Sequence, residues 1–215
     1  MFRIANPLTL RHFRLLSGVL VFLIGGLVLL TSETAQAYYT NGQNASGVIG
    51  QTLANGTSTY TAGTVNDPVN IGMNTPSGVA IDTTRHAAYV SDTQNNRVLV
   101  YALNTDNSFP DYKADYVIGQ IDFSATQANR GSANPTRNTL RAPTKLAVDQ
   151  SNGILYVADT GNNRVLMFTP VSSNGPDAQY VIGASNFTTV NSSGTVSQST
   201  MLSPIGIAIT GTGAS

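Results

Sequence analysis

From Val79 to Tyr101, and again from Leu146 to Phe168, apolar residues come in short runs broken by turn-forming residues, without the three-and-four spacing of a helix. The runs read as short strands. In the run Arg97-Val98-Leu99-Val100-Tyr101, Val98 and Val100 point to one side while Leu99 and Tyr101 point to the other, so both faces are apolar. A sheet that is apolar on both faces must be covered on both. Sheets stacked side by side around an axis achieve this with one sheet per sequence unit.

The chain repeats itself, which is the sequence signature of such an architecture. Pro76-Ser77-Gly78-Val79-Ala80-Ile81-Asp82 returns 67 residues later as Pro143-Thr144-Lys145-Leu146-Ala147-Val148-Asp149, and in part as Pro204-Ile205-Gly206-Ile207-Ala208-Ile209. Tyr89-Val90-Ser91-Asp92-Thr93-Gln94-Asn95-Asn96-Arg97-Val98-Leu99 matches Tyr156-Val157-Ala158-Asp159-Thr160-Gly161-Asn162-Asn163-Arg164-Val165-Leu166 at the same interval. A third block, Tyr116-Val117-Ile118-Gly119 and Tyr180-Val181-Ile182-Gly183, closes each unit, and Val48-Ile49-Gly50-Gln51 is an earlier copy. Each unit therefore predicts four strands. The units run over about 76–142 and 143–203, with the start of a further one at 204–215 and a lone fourth strand near 46–51.

A different pattern opens the chain. Arg3, Arg11 and Arg14 lead into an uncharged apolar run from Leu15 to Leu30, followed by polar residues ending in Ala35-Gln36-Ala37. This layout predicts a hydrophobic helix serving as a secretory signal over residues 1–37, cleaved between Ala37 and Tyr38. A retained membrane anchor over residues 15–30 is the alternative, although sixteen residues fall short of the roughly 20 that span a bilayer. Either way the remainder is expected outside the cytoplasm, secreted or anchored, with the membrane touched only through this segment. The chain has no cysteine, so no disulfide staples it.

Removal of residues 1–37 takes away three arginines and Glu33, leaving eight basic and ten acidic side chains and a net charge of −2. That balance lacks the basic footprint of a nucleic-acid binder. The remaining chain has no glutamate and a single histidine, His86, and is rich in Ser, Thr, Asn, Gly and Val. Such a composition suits short strands and turns.

These blocks resemble the NHL-repeat family, whose hallmark is a Pro-x-Gly-hydrophobic-Ala-hydrophobic-Asp strand followed by Tyr-Val-Ala-Asp-Thr-Gly-Asn-Asn-Arg-Val. The resemblance runs roughly from Val48 to Ile209. Departures are Lys145 for the strand glycine, Gln94 for the turn glycine and Thr210 for the strand-ending Asp. The resemblance implies an all-β fold, a β-propeller of four-stranded blades. A repeat of about 64 residues leaves the mature region short of three blades, where the smallest ordinary propeller has roughly four. The expectation is an incomplete ring, a piece of a longer propeller, with assembly from several short chains as the alternative.

The turn between the second and third strands is the chemically distinctive element. Asp92 and Asp159 are placed to accept hydrogen bonds from the turn's own amides, Asn tolerates left-handed backbone, and Gly161 adopts it more easily still. Asp92, Asn95, Asn96 and Arg97, with Asp159, Asn162, Asn163 and Arg164, could ring one face as a binding surface. A motif repeated once per unit, however, first serves the unit, with Asp holding the turn and Arg bridging strands or neighbouring blades. At the same end lie the long segments 52–75, 120–142 and 184–203, the middle one carrying Arg130, Arg137 and Arg141. Connections this long are functional or disordered, and surface decoration is the simpler expectation. His86, in the turn between first and second strands, reads as a surface residue. Asp106, Asp111 and Asp115 are of the ligand type calcium takes but lack a recognised loop spacing, so no metal is assigned.

Resemblance to NHL proteins implies a binding or interaction scaffold for a protein or glycan ligand, with no catalytic residues and no cofactor. Two alternatives stay open. Relatives of the fold include metal-dependent lyases and lactonase-like hydrolases, whose chemistry needs His, Glu or clustered Asp that this stretch lacks. Others are sensor domains of membrane-anchored signalling proteins, for which no transducer stands in these residues.

Overall fold

A computed structural model describes residues 20–24, 27–31, 45, 47–51, 53, 55, 69–191 and 196–209. The chain divides into two units, Met1–Asn44 and Ala45–Ser215.

In the first unit, β1 (Leu20–Ile24) and β2 (Leu27–Thr31) pair antiparallel, with Leu20 opposite Thr31 and Ile24 opposite Leu27. The apolar run was expected to be helical, and over these residues it is a hairpin instead. The sequence between the strands is Gly25-Gly26, which costs a helix about 1 kcal/mol per glycine and suits a two-residue hairpin loop. Among the described residues no helix is long and apolar enough to cross a membrane. The expected cleavage site at Ala37 and Tyr38 lies outside the described residues.

The second unit is all-β and, among the described residues, holds two four-stranded antiparallel sheets, consistent with the blades of an NHL β-propeller. The first sheet has the order β3 (Pro76–Asp82), β4 (Ala87–Asp92), β5 (Arg97–Ala102), β6 (Tyr116–Ile118). The second has the same order: β7 (Pro143–Val148), β8 (Leu155–Asp159), β9 (Arg164–Phe168), β10 (Tyr180–Ile182). All eight strands fall where the repeats place them. The registers correspond too, with Asp92 opposite Arg97 and Asp159 opposite Arg164 at the mouths of equivalent turns.

Each sheet spends its two apolar faces differently. Val98, Val100 and Ile118, with Tyr89, form one buried cluster with Leu146, Leu155, Val157, Leu166 and Phe168 of the second sheet. The sheets thus stack face to face. The opposite face of the first sheet, with Ala88, Val90, Leu99, Tyr101 and Val117, is covered by Ile49, Met73, Leu103, Phe109 and Phe123. Removing a fully buried leucine such as Leu99 or Leu166 from this core would cost about 2–5 kcal/mol.

The partial copies behave differently from the full ones. Ile49 packs where the repeat places it, but near 46–51 the described residues show only a bridge between Gln51 and Gly72. Pro204–Ile209 likewise enters no sheet.

Candidate functional site

The turn from β4 to β5 starts with a 3-10 turn over Thr93–Asn95 and ends at Asn96 in left-handed backbone, φ 52°. The turn from β8 to β9 repeats it with Thr160–Asn162 and Asn163, φ 55°. Asparagine was expected to supply this conformation, and it does so in both copies. Gly161 does not share it. Its role is a close approach, since a Cβ there would lie 2.7 Å from the Arg141 carbonyl oxygen, to which the Gly161 N–H donates at 2.9 Å.

The two Asp–Arg pairs form matching buried networks. Arg97 Nε donates to Asp92 Oδ2 at 2.7 Å, joined there by Asn95 Nδ2 at 2.8 Å, while the Asn74 N–H donates to Asp92 Oδ1 at 2.6 Å. Arg164 and Asn162 meet Asp159 Oδ2 at 2.7 and 2.8 Å, and the Arg141 N–H meets Oδ1 at 2.7 Å. The carboxylates were expected to hold the amides of their own turns. Instead they take two side chains of the turn and one amide of the incoming segment, because the 3-10 turn closes on its own Thr carbonyl.

The guanidinium groups carry the network outward. Arg97 Nη2 donates to the carbonyls of Val69 and Gly72 at 3.1 and 3.0 Å, and Nη1 to that of Phe123. Arg164 does the same with Thr136 and Thr139, at 2.8 and 3.0 Å, and with Phe187. One planar cation thus ties the segment entering a sheet to the segment leaving it, using the fork geometry that lysine lacks. Both ion pairs are completely buried. Burial pushes the Asp159 carboxyl up, and the Arg164 guanidinium, the Arg141 N–H and the Asn162 amide pull it back.

Asn96 and Asn163 hold the segment that leads into the next unit. Asn96 Oδ1 accepts from the Ala142 N–H at 2.8 Å while its Nδ2 donates to Thr126 O at 2.9 Å. Asn163 Oδ1 accepts from the Ser203 N–H at 2.8 Å. Of the eight turn residues singled out in the sequence, the two Asp, the two Arg, Asn95 and Asn162 are buried, leaving only Asn96 and Asn163 half-buried.

The three arginines of segment 120–142 do not converge. Arg130 is half-buried, with Nε on the Gly119 carbonyl at 3.3 Å, and burial lowers its pKa. Exposed Arg137 lies over the Phe187 ring, 4.8 Å from its centroid, and Arg141 is exposed beside the second turn. The segment itself is no loose decoration: Gln120, Asn129, Thr139 and Leu140 are buried. Asn129 and Asn162 exchange side-chain hydrogen bonds at 3.1 and 2.8 Å, and Gln120 Nε2 reaches the Asn96 carbonyl at 3.0 Å. Sequence reasoning passed over both residues. The recurrence of Gly-Gln at 50–51 and 119–120 was the available signal for Gln120, and Asn129 had none.

His86 is half-buried, with Nδ1 2.9 Å from Asn107 Oδ1. Asp106 and Asp111 hold turn amides of Ser108 and Lys113, and Asp115 holds the Ala102 N–H.

Residues 140–168, from the end of that segment through β9, match the NHL repeat family model. That stretch is an NHL repeat. The matched NHL repeat contains Asp159, Asn162 and Arg164, while the Thr136, Thr139 and Phe187 carbonyls that Arg164 reaches lie outside it. The chain is also similar to human NHL repeat-containing protein 2, at 26% identity over 153 residues, which covers 65% of this chain and 20% of that protein. It thus spans about a fifth of the length of the relative it matches.

Proposed function

We propose that this NHL-repeat chain is a protein-interaction scaffold without catalytic chemistry of its own, displayed outside the cytoplasm as part of a β-propeller. The observation that carries the reading is how the recurrent motif spends its polar groups. Asp92, Arg97, Asp159 and Arg164 are buried and engaged inside the turns, so the motif builds the scaffold and recognition falls to the segments between the sheets. Segment 120–142 is the best described of these, and it presents exposed Arg137 and Arg141 on a backbone anchored by buried Gln120, Asn129 and Leu140. Pre-anchored side chains lose less entropy on binding than mobile ones.

In-cell cross-linking of the tagged chain, followed by mass spectrometry, supplies the ligand for a direct test. The Arg137→Glu/Arg141→Glu variant is expected to bind that ligand at least about tenfold more weakly, while Thr84→Glu, in the turn from β3 to β4, leaves binding unchanged. Equal affinities of all three proteins would remove segment 120–142 as the recognition surface. Export is read from the basic-apolar-small layout of residues 1–37, and material recovered outside the source cell should begin at Tyr38. A mature protein retaining residues 15–30 in the membrane would support the anchored form instead.

A further inference from the structure

Segment 169–179 joins β9 to β10, and part of it crosses to the first sheet. β6 ends that sheet, so among the described residues one of its edges has no strand partner. At Val117 the crossing segment supplies the missing bonds. The Val117 N–H donates to Asn174 Oδ1 at 3.1 Å, and the Gly175 N–H donates to the Val117 carbonyl at 2.8 Å. A neighbouring antiparallel strand would make both bonds with its backbone, so the Asn174 side chain stands in for one peptide carbonyl. The segment is fastened again at Asp177, whose Oδ1 accepts from Asn138 Nδ2 at 2.9 Å, and at Ala178, whose N–H donates to the Arg137 carbonyl at 2.8 Å.

This strap dictates its own sequence. Position 174 must offer a side-chain acceptor next to the Gly175 donor. Position 175 must be glycine, since its backbone is left-handed at φ 61° and a Cβ would lie 2.7 Å from Arg130 Nη2 and 3.0 Å from the Gln120 carbonyl oxygen. The outcome is Asn-Gly, a pair in which no side chain shields the following backbone nitrogen from the asparagine amide. Here both reacting groups are occupied by one residue. The Gly175 N–H is held by the Val117 carbonyl, and the Asn174 side-chain carbonyl by the Val117 N–H.

We propose that Asn174 is a deamidation site guarded by its contact with Val117, and that its conversion releases the edge of β6. When the strap lifts, the Gly175 nitrogen bonds to the Asn174 side-chain carbonyl carbon. The Gly175 proton leaves with the side-chain nitrogen as ammonia, and a cyclic imide forms. Water then opens the imide. Opening at one carbonyl gives aspartate, which keeps an acceptor for Val117. Opening at the other gives isoaspartate, whose main chain runs through the former side chain. That longer backbone cannot set both an acceptor and the Gly175 N–H against Val117, so the strand edge is left free to bond.

The test incubates the full chain, native and denatured, and follows amide-to-acid conversion and isoaspartate at Asn174 by peptide mapping. Asn152-Gly153 is the reference within the same chain, because its bonds to Asp149 and Ile154 stay inside the turn from β7 to β8. Asn174 is expected to convert at least about tenfold more slowly in the native chain than in the denatured one. Asn138→Ala removes one fastening and leaves the Asn-Gly pair intact; it should speed native conversion at Asn174 about three- to tenfold without changing Asn152. In the native isoaspartate form, the Val117 amide should exchange at least about tenfold faster than before conversion, with Val157 unchanged. Equal rates at Asn174 in the native and denatured chains overturn the proposal, whether or not Asn138→Ala folds. So does unchanged exchange at Val117 after conversion to isoaspartate. No step involves a ligand, so these outcomes are independent of the scaffold reading.

Discussion

Arg164 and Asp159 face each other across β8 and β9 at 2.7 Å, both completely buried, and Arg97 and Asp92 do the same one repeat earlier. Two charges so far from water hold only because every lobe of the carboxylate and every arm of the guanidinium has a partner. Removing one member strands the other.

Arg164→Ala should therefore destabilise the fold by about 3–5 kcal/mol in denaturant titration, the range for breaking a buried pair. Arg164→Lys should recover little of it, because an ammonium cannot reach Asp159, Thr136 and Thr139 together as the fork does. Near-native stability of the lysine variant would show that the three-way tie contributes nothing.

Tyr101 and Phe168 occupy equivalent positions, and only Tyr101 carries a hydroxyl, which is buried without a hydrogen-bond partner among the described residues. Tyr101→Phe should be neutral or stabilising by about 1 kcal/mol at neutral pH, since an unsatisfied buried hydroxyl costs stability. Burial raises the Tyr101 pKa above its ordinary value. A folded pKa raised above the unfolded one gives stability that is intact below about pH 10 and is lost as pH rises above it. Melting curves from pH 8 to 12 should thus fall less steeply for the phenylalanine variant, and identical curves would contradict this.

Gly119 has φ 90°, and a Cβ there would lie 2.7 Å from the Leu140 side chain. Gly119→Ala should cost about 1–3 kcal/mol, combining backbone strain with displacement of a buried leucine. Thermal denaturation of the variant checks this, and an unchanged melting temperature would refute it.

Much of this architecture is legible in the sequence because it repeats. The strands from Pro76 to Ile118 and from Pro143 to Ile182 follow from apolar runs, and the left-handed Asn96 and Asn163 follow from turn chemistry. What the sequence hides are contacts without periodicity. The Asn129–Asn162 amide pair and the reach of Gln120 to the Asn96 carbonyl turn an apparently loose segment into a fixed one, and no local pattern announces either. The acceptor role of Asp92 was misplaced for a related reason: its third donor, the Asn74 N–H, comes from outside the turn. In the apolar N-terminal run, Gly25-Gly26 divides two stretches that hydropathy alone joins.

The fold depends on the first sheet lying face to face against the second. Methyl-labelled NMR tests this directly through nuclear Overhauser contacts across the interface. Contacts linking Val98, Val100 and Ile118 to Leu146, Val157 and Leu166 are the expected result. Their absence, with contacts confined within each sheet, would mean that the two sheets do not share a core.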